Sequence, residues 1–185
     1  MGGLVKLTAE QKTELAVLIP RIKKGDSEAL SKFIKLTQTS VFRFCFFLSK
    51  NREQADEFCQ ETFLKAMDNF KNIENEKSAL DWLLKIAKNL FLDQYRSAKR
   101  QNEILNENFY KDETAIESSE TSIEVRQILS HFDPDDRSLL ILVDLDNYTY
   151  SEAASIMDLS EDAVRSRIHR IRQNFQKILM SCETK

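Results

Sequence analysis

Arg165, Ser166, Arg167, His169 and Arg170 crowd into six residues of a stretch, Ala163 to Lys177, that has five Lys or Arg residues and no acid. At about 100° per residue, Arg165, Ser166, His169, Arg170 and Gln173 share one helix face, flanked by Arg167 and Arg172. Guanidinium, imidazole and hydroxyl donors on one face can pair with phosphates and with base edges in a major groove. The opposite face carries Val164, Ile168, Ile171, Phe175 and Ile178 at spacings of four, three, four and three, an apolar stripe that must be buried. Upstream, Thr149 and Glu152 form a capping box that opens a short helix to about Met157, with Ala153, Ala154 and Met157 inward. Asp158 and Leu159 supply a turn, and Ser160 caps the next helix. This is the pattern of a helix-turn-helix. Without the capped first helix, the same cations would describe only a solvated basic face. Glu161 and Asp162 suit a helix N-terminus electrostatically, yet sit at the end that would approach phosphates.

Two further constellations could bind, although neither has the makings of catalysis. Asp56, Glu57, Gln60 and Glu61 lie on the outer side of a helix whose inner side is expected to hold Ala55, Phe58, Cys59, Phe63, Ala66, Met67 and Phe70. Solvated acids near a helix start are ordinary, but this concentration also suits a basic protein partner. Downstream, Lys77, Lys85, Lys88, Arg96, Lys99 and Arg100 interleave with Trp82, Phe91 and Tyr95, alongside the polar Ser78, Asn89 and Asp93. A lone Trp is ordinarily core, yet cations among aromatics also fit a single strand held by stacking and phosphate pairing.

The elements that position these groups are helices. Three Gly and two Pro in 185 residues, 31% charged residues and recurrent 3.6-residue periodicity predict an all-α protein. Lys and Arg number 27 against 30 Asp and Glu, a net charge of -3, so any DNA contact must come from local patches. Cys45, Cys59 and Cys182 lack metal-ligand spacing and are expected to be reduced structural thiols. No signal peptide is evident, and the apolar run from Val41 to Leu48 is too short to span a bilayer, so the expected location is the cytoplasm, without membrane insertion. No cofactor or metal is expected.

Thr8 and Gln11 form another capping box, ahead of Leu15, Leu18, Ile19 and Ile22, and Pro20 is expected to kink that helix or open a new turn. Gly25 and Asp26 stop one helix and cap the next. Leu30, Phe33 and Ile34, then Val41, Phe42, Cys45 and Phe46, predict two Phe-rich segments. Asn51 and Gln54 mark another start, and Ser78 with Asp81 a further capping box before Trp82, Leu83, Ile86, Ala87, Leu90 and Phe91. Gln101 to Ser122 has six acids against one Lys and no apolar stripe, and reads as a linker. The expected organisation is a helical domain over 1–100, an acidic linker over 101–122 and a second helical domain over 123–185. That second domain begins with Ile123, Ile128, Leu129 and Phe132, breaks at Asp133 and Pro134, and resumes at Leu139, Leu140 and Leu142.

In order and spacing these stretches resemble the extracytoplasmic-function (ECF) sigma factors of bacterial RNA polymerase. The likeness rests on GDSEAL from Gly25, ADEFCQETFLKA from Ala55 to Ala66, WLLKIAKNLFLDQYRSAKR from Trp82 to Arg100, Asp135 to Arg137, and YTYSEAASIMDLSEDAVRSRIHRIRQ. It implies a non-enzymatic factor that binds core RNA polymerase and directs promoter recognition, -10 melting and initiation. Asp56, Glu57, Gln60 and Glu61 would hold the polymerase clamp helices. Lys77, Ser78, Trp82, Lys85, Lys88, Asn89, Arg96, Lys99 and Arg100 would bind the -10 element, with Asn89 near a captured base. Arg165, Ser166, Arg167, His169 and Arg170 would read the -35 element, and an anti-sigma factor would be a further partner. The chain departs from the family pattern at Asp56–Glu57, where the acids stand in reverse order, and at Met67, Ala79, Ala153, Glu161 and Asp162.

Two rival readings remain. A helix-turn-helix regulator without polymerase binding would make the Asp56 to Glu61 surface and the Trp82 to Arg100 helix coincidental. A nuclease using Asp56, Glu57 and Glu61 with a metal would lack a nearby His or nucleophile.

Overall fold

Side-chain caps set the helix boundaries. Thr8 Oγ1 accepts the Gln11 amide (3.2 Å) and Gln11 Oε1 accepts the Thr8 amide (3.0 Å), closing the expected capping box at the start of α1 (Ala9–Lys23). That helix runs through Pro20 without a new start. It ends at Gly25, whose φ of +87° is the left-handed conformation that glycine tolerates best. The Gly25 amide donates to Ile22 O and the Asp26 amide to Arg21 O, the Schellman pattern that satisfies terminal carbonyls. Asp26 then caps α2 (Ser27–Leu48) by accepting the Glu28 and Ala29 amides at 3.0 Å each.

The computed structural model describes residues 6–49, 52–73, 78–102 and 128–182, and every regular element among them is helical. After α2 come α3 (Arg52–Asn69), a 3-10 turn (Phe70–Asn72), α4 (Ala79–Asn102), α5 (Pro134–Leu140), a π turn (Ile141–Leu145), α6 (Tyr150–Met157) and α7 (Glu161–Cys182). Asn51, Lys77, Ile123 and nearly all of the acidic stretch fall outside the described residues.

Helices α1 to α4 form one bundle and α5 to α7 a second. In the first, α2 is one continuous helix rather than two segments, and its buried stripe includes Phe33, Thr37, Ser40, Val41, Phe44, Cys45 and Leu48. Phe42 and Phe46, expected inside, are only partly covered. The buried Thr37 and Ser40 hid the true phase of the stripe. Thr37 is tolerated there because its hydroxyl donates to Phe33 O at 2.8 Å. On α3, Thr62 is buried and likewise bonds Phe58 O (2.7 Å), whereas Met67, expected inside, is exposed. Edge-on contacts join α2 to the 3-10 turn through Phe33 and Phe70 (5.1 Å) and α3 to α4 through Phe58 and Phe91 (5.6 Å).

In the second bundle Asp133 caps α5 and Pro134 occupies its first turn, where a missing amide proton does no harm. Thr149 and Glu152 close the expected box on α6. Asp158 ends α6 with φ +56°, ψ +43°, and Ser160 Oγ accepts the Ala163 amide (3.2 Å) at the start of α7. Asp is among the few residues that adopt this left-handed turn readily. Val164, Ile168 and Ile171 are buried and Phe175 packs against the core.

The two bundles share one apolar core. Helix α4 is buried on two sides: Leu83, Ala87 and Leu90 belong to the stripe expected from the sequence, while Leu80 and Leu84 are buried as well. The Arg137 guanidinium, 4% exposed, donates to Leu129 O (3.0 Å), Phe132 O (3.3 Å), Ser130 O (3.4 Å) and, across the joint, Leu48 O (2.7 Å).

Candidate polymerase and nucleic-acid interfaces

The α7 face expected to meet DNA is open. Arg165, Ser166, His169, Arg170 and Gln173 are all exposed. Arg165 is steadied by Glu161 (3.1 Å, one turn back) and lies over the Tyr150 ring (5.4 Å), so Glu161 neutralises one member of the cationic face. His169 Nε2 is 3.1 Å from Gln173 Nε2, and Arg170 has no ionic partner among the described residues. Arg167 differs from its neighbours. Its side chain is only 25% exposed, and its guanidinium is held by Asp136 and Asp133 of the α5 cap. That pairing draws Arg167 toward its own bundle. Arg172 is similarly paired with Asp144 (3.2 Å from Nε).

On α3, Asp56, Glu57, Gln60 and Glu61 are all exposed, and Asp56 pairs loosely with Arg52 at 3.9 Å. Leu64 (62% exposed) and Met67 (48%) continue the row one and two turns on. Periodicity does not reveal this apolar extension, because a core stripe through Phe63 and Phe70 takes in Met67, and only the burial of Thr62 corrects the phase.

On α4 the expected nucleic-acid residues divide. Trp82, Ile86, Asn89, Leu90 and Asp93 line a cleft of about 300 Å³ with Lys65, Asn69 and Asn72. Its volume is at the lower end of ligand pockets. Asn89, Arg96, Lys99 and Arg100 are exposed, Ser78 is half-buried and Lys77 lies outside the described residues. Lys85 and Lys88 point the other way, toward the second bundle. Lys88 is 4% exposed, its Nζ donating to Ile156 O (3.2 Å) and lying 3.7 Å from Asp158. Lys85 pairs with the same carboxylate. Burial lowers the Lys88 pKa, against the pull of Asp158. Neither lysine offers the open contact with phosphate expected from the sequence.

Asp81, expected in a capping box with Ser78, also faces the joint. Burial pushes its carboxyl up to about 6, reinforced by the Glu152 carboxylate and moderated by Lys12, by Lys6 and by the hydrogen bond that the Tyr148 hydroxyl donates to it. Glu152 is raised by burial, but Lys6 (2.7 Å) and the Thr149 amide and hydroxyl outweigh that and bring it down to about 2. A raised carboxyl stabilises the fold when protonated, so the Asp81 contribution grows as pH falls from above 6 toward 3.8 and is lost as pH rises through about 6. Glu152 works in the opposite sense, its contribution disappearing as pH falls below 4.5. Thermal unfolding should therefore show a higher midpoint at pH 5 than at pH 7.5, and Asp81→Asn should flatten the difference; an unchanged profile in the variant would place the titration elsewhere.

Among the described residues no group of three or more His, Cys, Asp or Glu side chains could hold a metal ion, and no helix is long and apolar enough to cross a membrane. Cys45 and Cys59 are buried with raised pKa values, Cys59 to about 11, as befits inert structural thiols.

Residues 33–101 match the family model for Sigma-70 region 2, and residues 122–175 that for Sigma-70, region 4. The chain is 30% identical over 169 residues to the ECF RNA polymerase sigma factor SigC of Mycobacterium tuberculosis, covering 89% of this chain and 91% of SigC. It is 25% identical over 176 residues to the ECF RNA polymerase sigma factor SigW of Bacillus subtilis, covering 87% and 94%. The sigma factor RpoE of Bartonella quintana, solved with the anti-sigma factor NepR, has the same fold at a TM-score of 0.70 and 23% identity, covering 81% of this chain and 96% of that one. CnrH, solved with the cytosolic domain of CnrY, superposes at 0.70 with 19% identity, covering 91% and 98%. With an exposed cationic helix-turn-helix in one bundle, a carboxylate row in the other and both sigma regions in order, the chain belongs to the ECF sigma factors of the sigma-70 family, which direct promoter recognition by RNA polymerase.

Proposed function

We propose that the chain divides its work among three surfaces. Asp56, Glu57, Gln60 and Glu61, extended by Leu64 and Met67, dock on the clamp helices of core RNA polymerase. The carboxylates supply complementarity to a basic partner and the two apolar side chains supply desolvated contact. Lys77, Ser78, Trp82, Asn89, Arg96, Lys99 and Arg100 engage the -10 element, with an extruded base taken into the Trp82–Asn89 cleft, and Lys85 and Lys88 assist once released from Asp158. Unpairing costs a few kcal/mol, so a pocket that binds the flipped base shifts the duplex toward melting without covalent chemistry. Arg165, Ser166, His169 and Arg170 read the -35 element, and Arg167 assists once released from Asp133 and Asp136.

In this reading residues 1–100 and 123–185 are the working domains and 101–122 their tether, in the cytoplasm and without a cofactor. A tether makes the second contact effectively intramolecular, so two weak grips add to a firm one. An anti-sigma protein is a further partner, as NepR is for RpoE.

The observation that carries this reading is the segregation of an exposed carboxylate row on α3 from an exposed cationic face on α7. The purified chain, added to bacterial core polymerase, should start transcription at its cognate promoter; failure to bind core in a pull-down would defeat the assignment of the α3 surface. Arg165→Ala or Arg170→Ala should weaken -35 binding by about 1–3 kcal/mol if the side chain reaches a base edge. Equal losses on unrelated duplexes would make these residues phosphate clamps instead.

A further inference from the structure

Three arginines of α7 are held by carboxylates, and the three pairs are not alike. Arg167 is held by Asp133 and Asp136 of α5 and its cap, and Arg172 by Asp144 of the π turn (3.2 Å), so these pairs fasten α7 to the rest of its bundle. The third pair fastens nothing. Glu161 and Arg165 both belong to α7, one turn apart, with side chains 49% and 60% exposed. An exposed pair of this kind adds little to stability. It does fix a guanidinium in place. Glu161 Oε1 accepts a hydrogen bond from Arg165 Nη2 (3.1 Å), and the same guanidinium lies 5.4 Å over the Tyr150 ring. Tyr150 is the first residue of α6 and packs against the core, and its hydroxyl stands 3.5 Å from Arg172 Nη1, so the ring is itself held. A guanidinium has five N–H donors in a planar fork. The carboxylate engages one of them, which leaves enough for a bidentate contact elsewhere.

We propose that Glu161 is a specificity-determining residue of the -35 reader: with Tyr150 it presents Arg165 to the edge of a guanine and keeps that arginine off backbone phosphates. The inference rests on the reading of α7 as the -35 surface. The N-terminal turns of a recognition helix are the part that reaches base edges, and Glu161 and Arg165 occupy those turns. A phosphate approaching Arg165 meets the Glu161 carboxylate, and the two anions repel. The O6 and N7 acceptors of guanine belong to a neutral base and meet no such barrier. Phosphate contacts supply most non-specific binding, so cancelling the Arg165 charge within the chain weakens the grip on every wrong sequence. A repulsive element set against the wrong contact raises discrimination even while it lowers affinity for DNA in general. Holding the side chain beforehand also reduces the rotamer freedom lost on binding. The acid at the end of α7 nearest the DNA thus acts as a positioning residue for Arg165.

The test is transcription by holoenzyme, assembled from core polymerase and the full-length chain, on the cognate promoter randomised across its -35 element, with transcripts counted by sequencing. The parent should prefer guanine at one position, and Arg165→Ala should erase that preference. Glu161→Gln keeps a side chain of the same shape at an exposed site. It should lower the guanine preference about fivefold, the low end of what one bidentate pair supplies. The loss should come from higher output on disfavoured sequences, whereas a folding defect would lower output on all of them. Tyr150→Leu should weaken the same preference. Asp162→Asn removes the neighbouring exposed acid and the same unit of charge, and should leave the preference intact. An equal loss in Asp162→Asn would make the effect one of bulk charge and overturn the proposal. A parent-like profile for Glu161→Gln, with Arg165→Ala still erasing the guanine preference, would overturn it too, and the -35 reading would then stand. If Arg165→Ala changes no preference, or removes one for another base, Arg165 is not a guanine reader. The assignment of that residue then fails, and the role of Glu161 with it.

Discussion

Glu61→Lys will abolish capture of core RNA polymerase while the chain folds as before. Glu61 is exposed on α3 beside Glu57 and Gln60, so reversing its charge disturbs no packing and should move the unfolding free energy by no more than about 0.5 kcal/mol. Against a basic partner the same change replaces an attraction by a like-charge contact worth about 2–5 kcal/mol at a desolvated interface. At about 1.4 kcal/mol per tenfold, that takes a tight complex out of range of a pull-down. Surface plasmon resonance with immobilised core enzyme and a thermal melt separate the two effects. Retained binding would remove this row from the polymerase interface, and a collapsed melting transition would mean that Glu61 has a structural role that its exposure does not suggest.

Arg137→Met should have the largest effect on stability, about 3–5 kcal/mol in urea unfolding. Four carbonyls, those of Leu48, Leu129, Ser130 and Phe132, converge on this guanidinium; Leu129 O keeps the Phe132 amide (3.1 Å), Ser130 O is only partly buried, and a buried acceptor left without a donor costs about 1–3 kcal/mol. Met fills a similar volume but donates nothing, so packing loss is a minor part of the effect. Because Leu48 belongs to α2 and the other three acceptors surround the start of α5, the loss falls on the joint as well as on the second bundle. Arg137→Lys, with three donors on a flexible stem, should recover part of the loss and not all of it. A change below about 1 kcal/mol in the Met variant would show that water replaces the guanidinium at these carbonyls.

Where local chemistry is decisive, the sequence was sufficient. The Thr8–Gln11 and Thr149–Glu152 boxes, the Gly25–Asp26 break, the Asp158 turn and the Ser160 cap all occur as the residue types require, since each is settled within a few residues of backbone. The open face of α7 was legible for the same reason: an unbroken apolar stripe fixes which side is buried and hence which side is not. Phase was misread wherever buried polar residues interrupted the stripe. Thr37, Ser40 and Thr62 look like solvent-facing positions, and counting them so moved Phe42, Phe46 and Met67 inward on paper. The hydroxyls of Thr37 and Thr62 are satisfied by their own helix, which periodicity cannot reveal.

By itself the sequence determined the helices, their caps and the two oppositely charged surfaces, because these depend on neighbours three or four residues apart. Tertiary structure alone decided which cations stand open to a partner. Lys85 and Lys88 share their helix with Arg96 and Arg100, yet only the first two meet Asp158, 73 and 70 residues further along the chain. Such a pairing follows from how two bundles come to share one core, a long-range contact on which helical periodicity has no bearing.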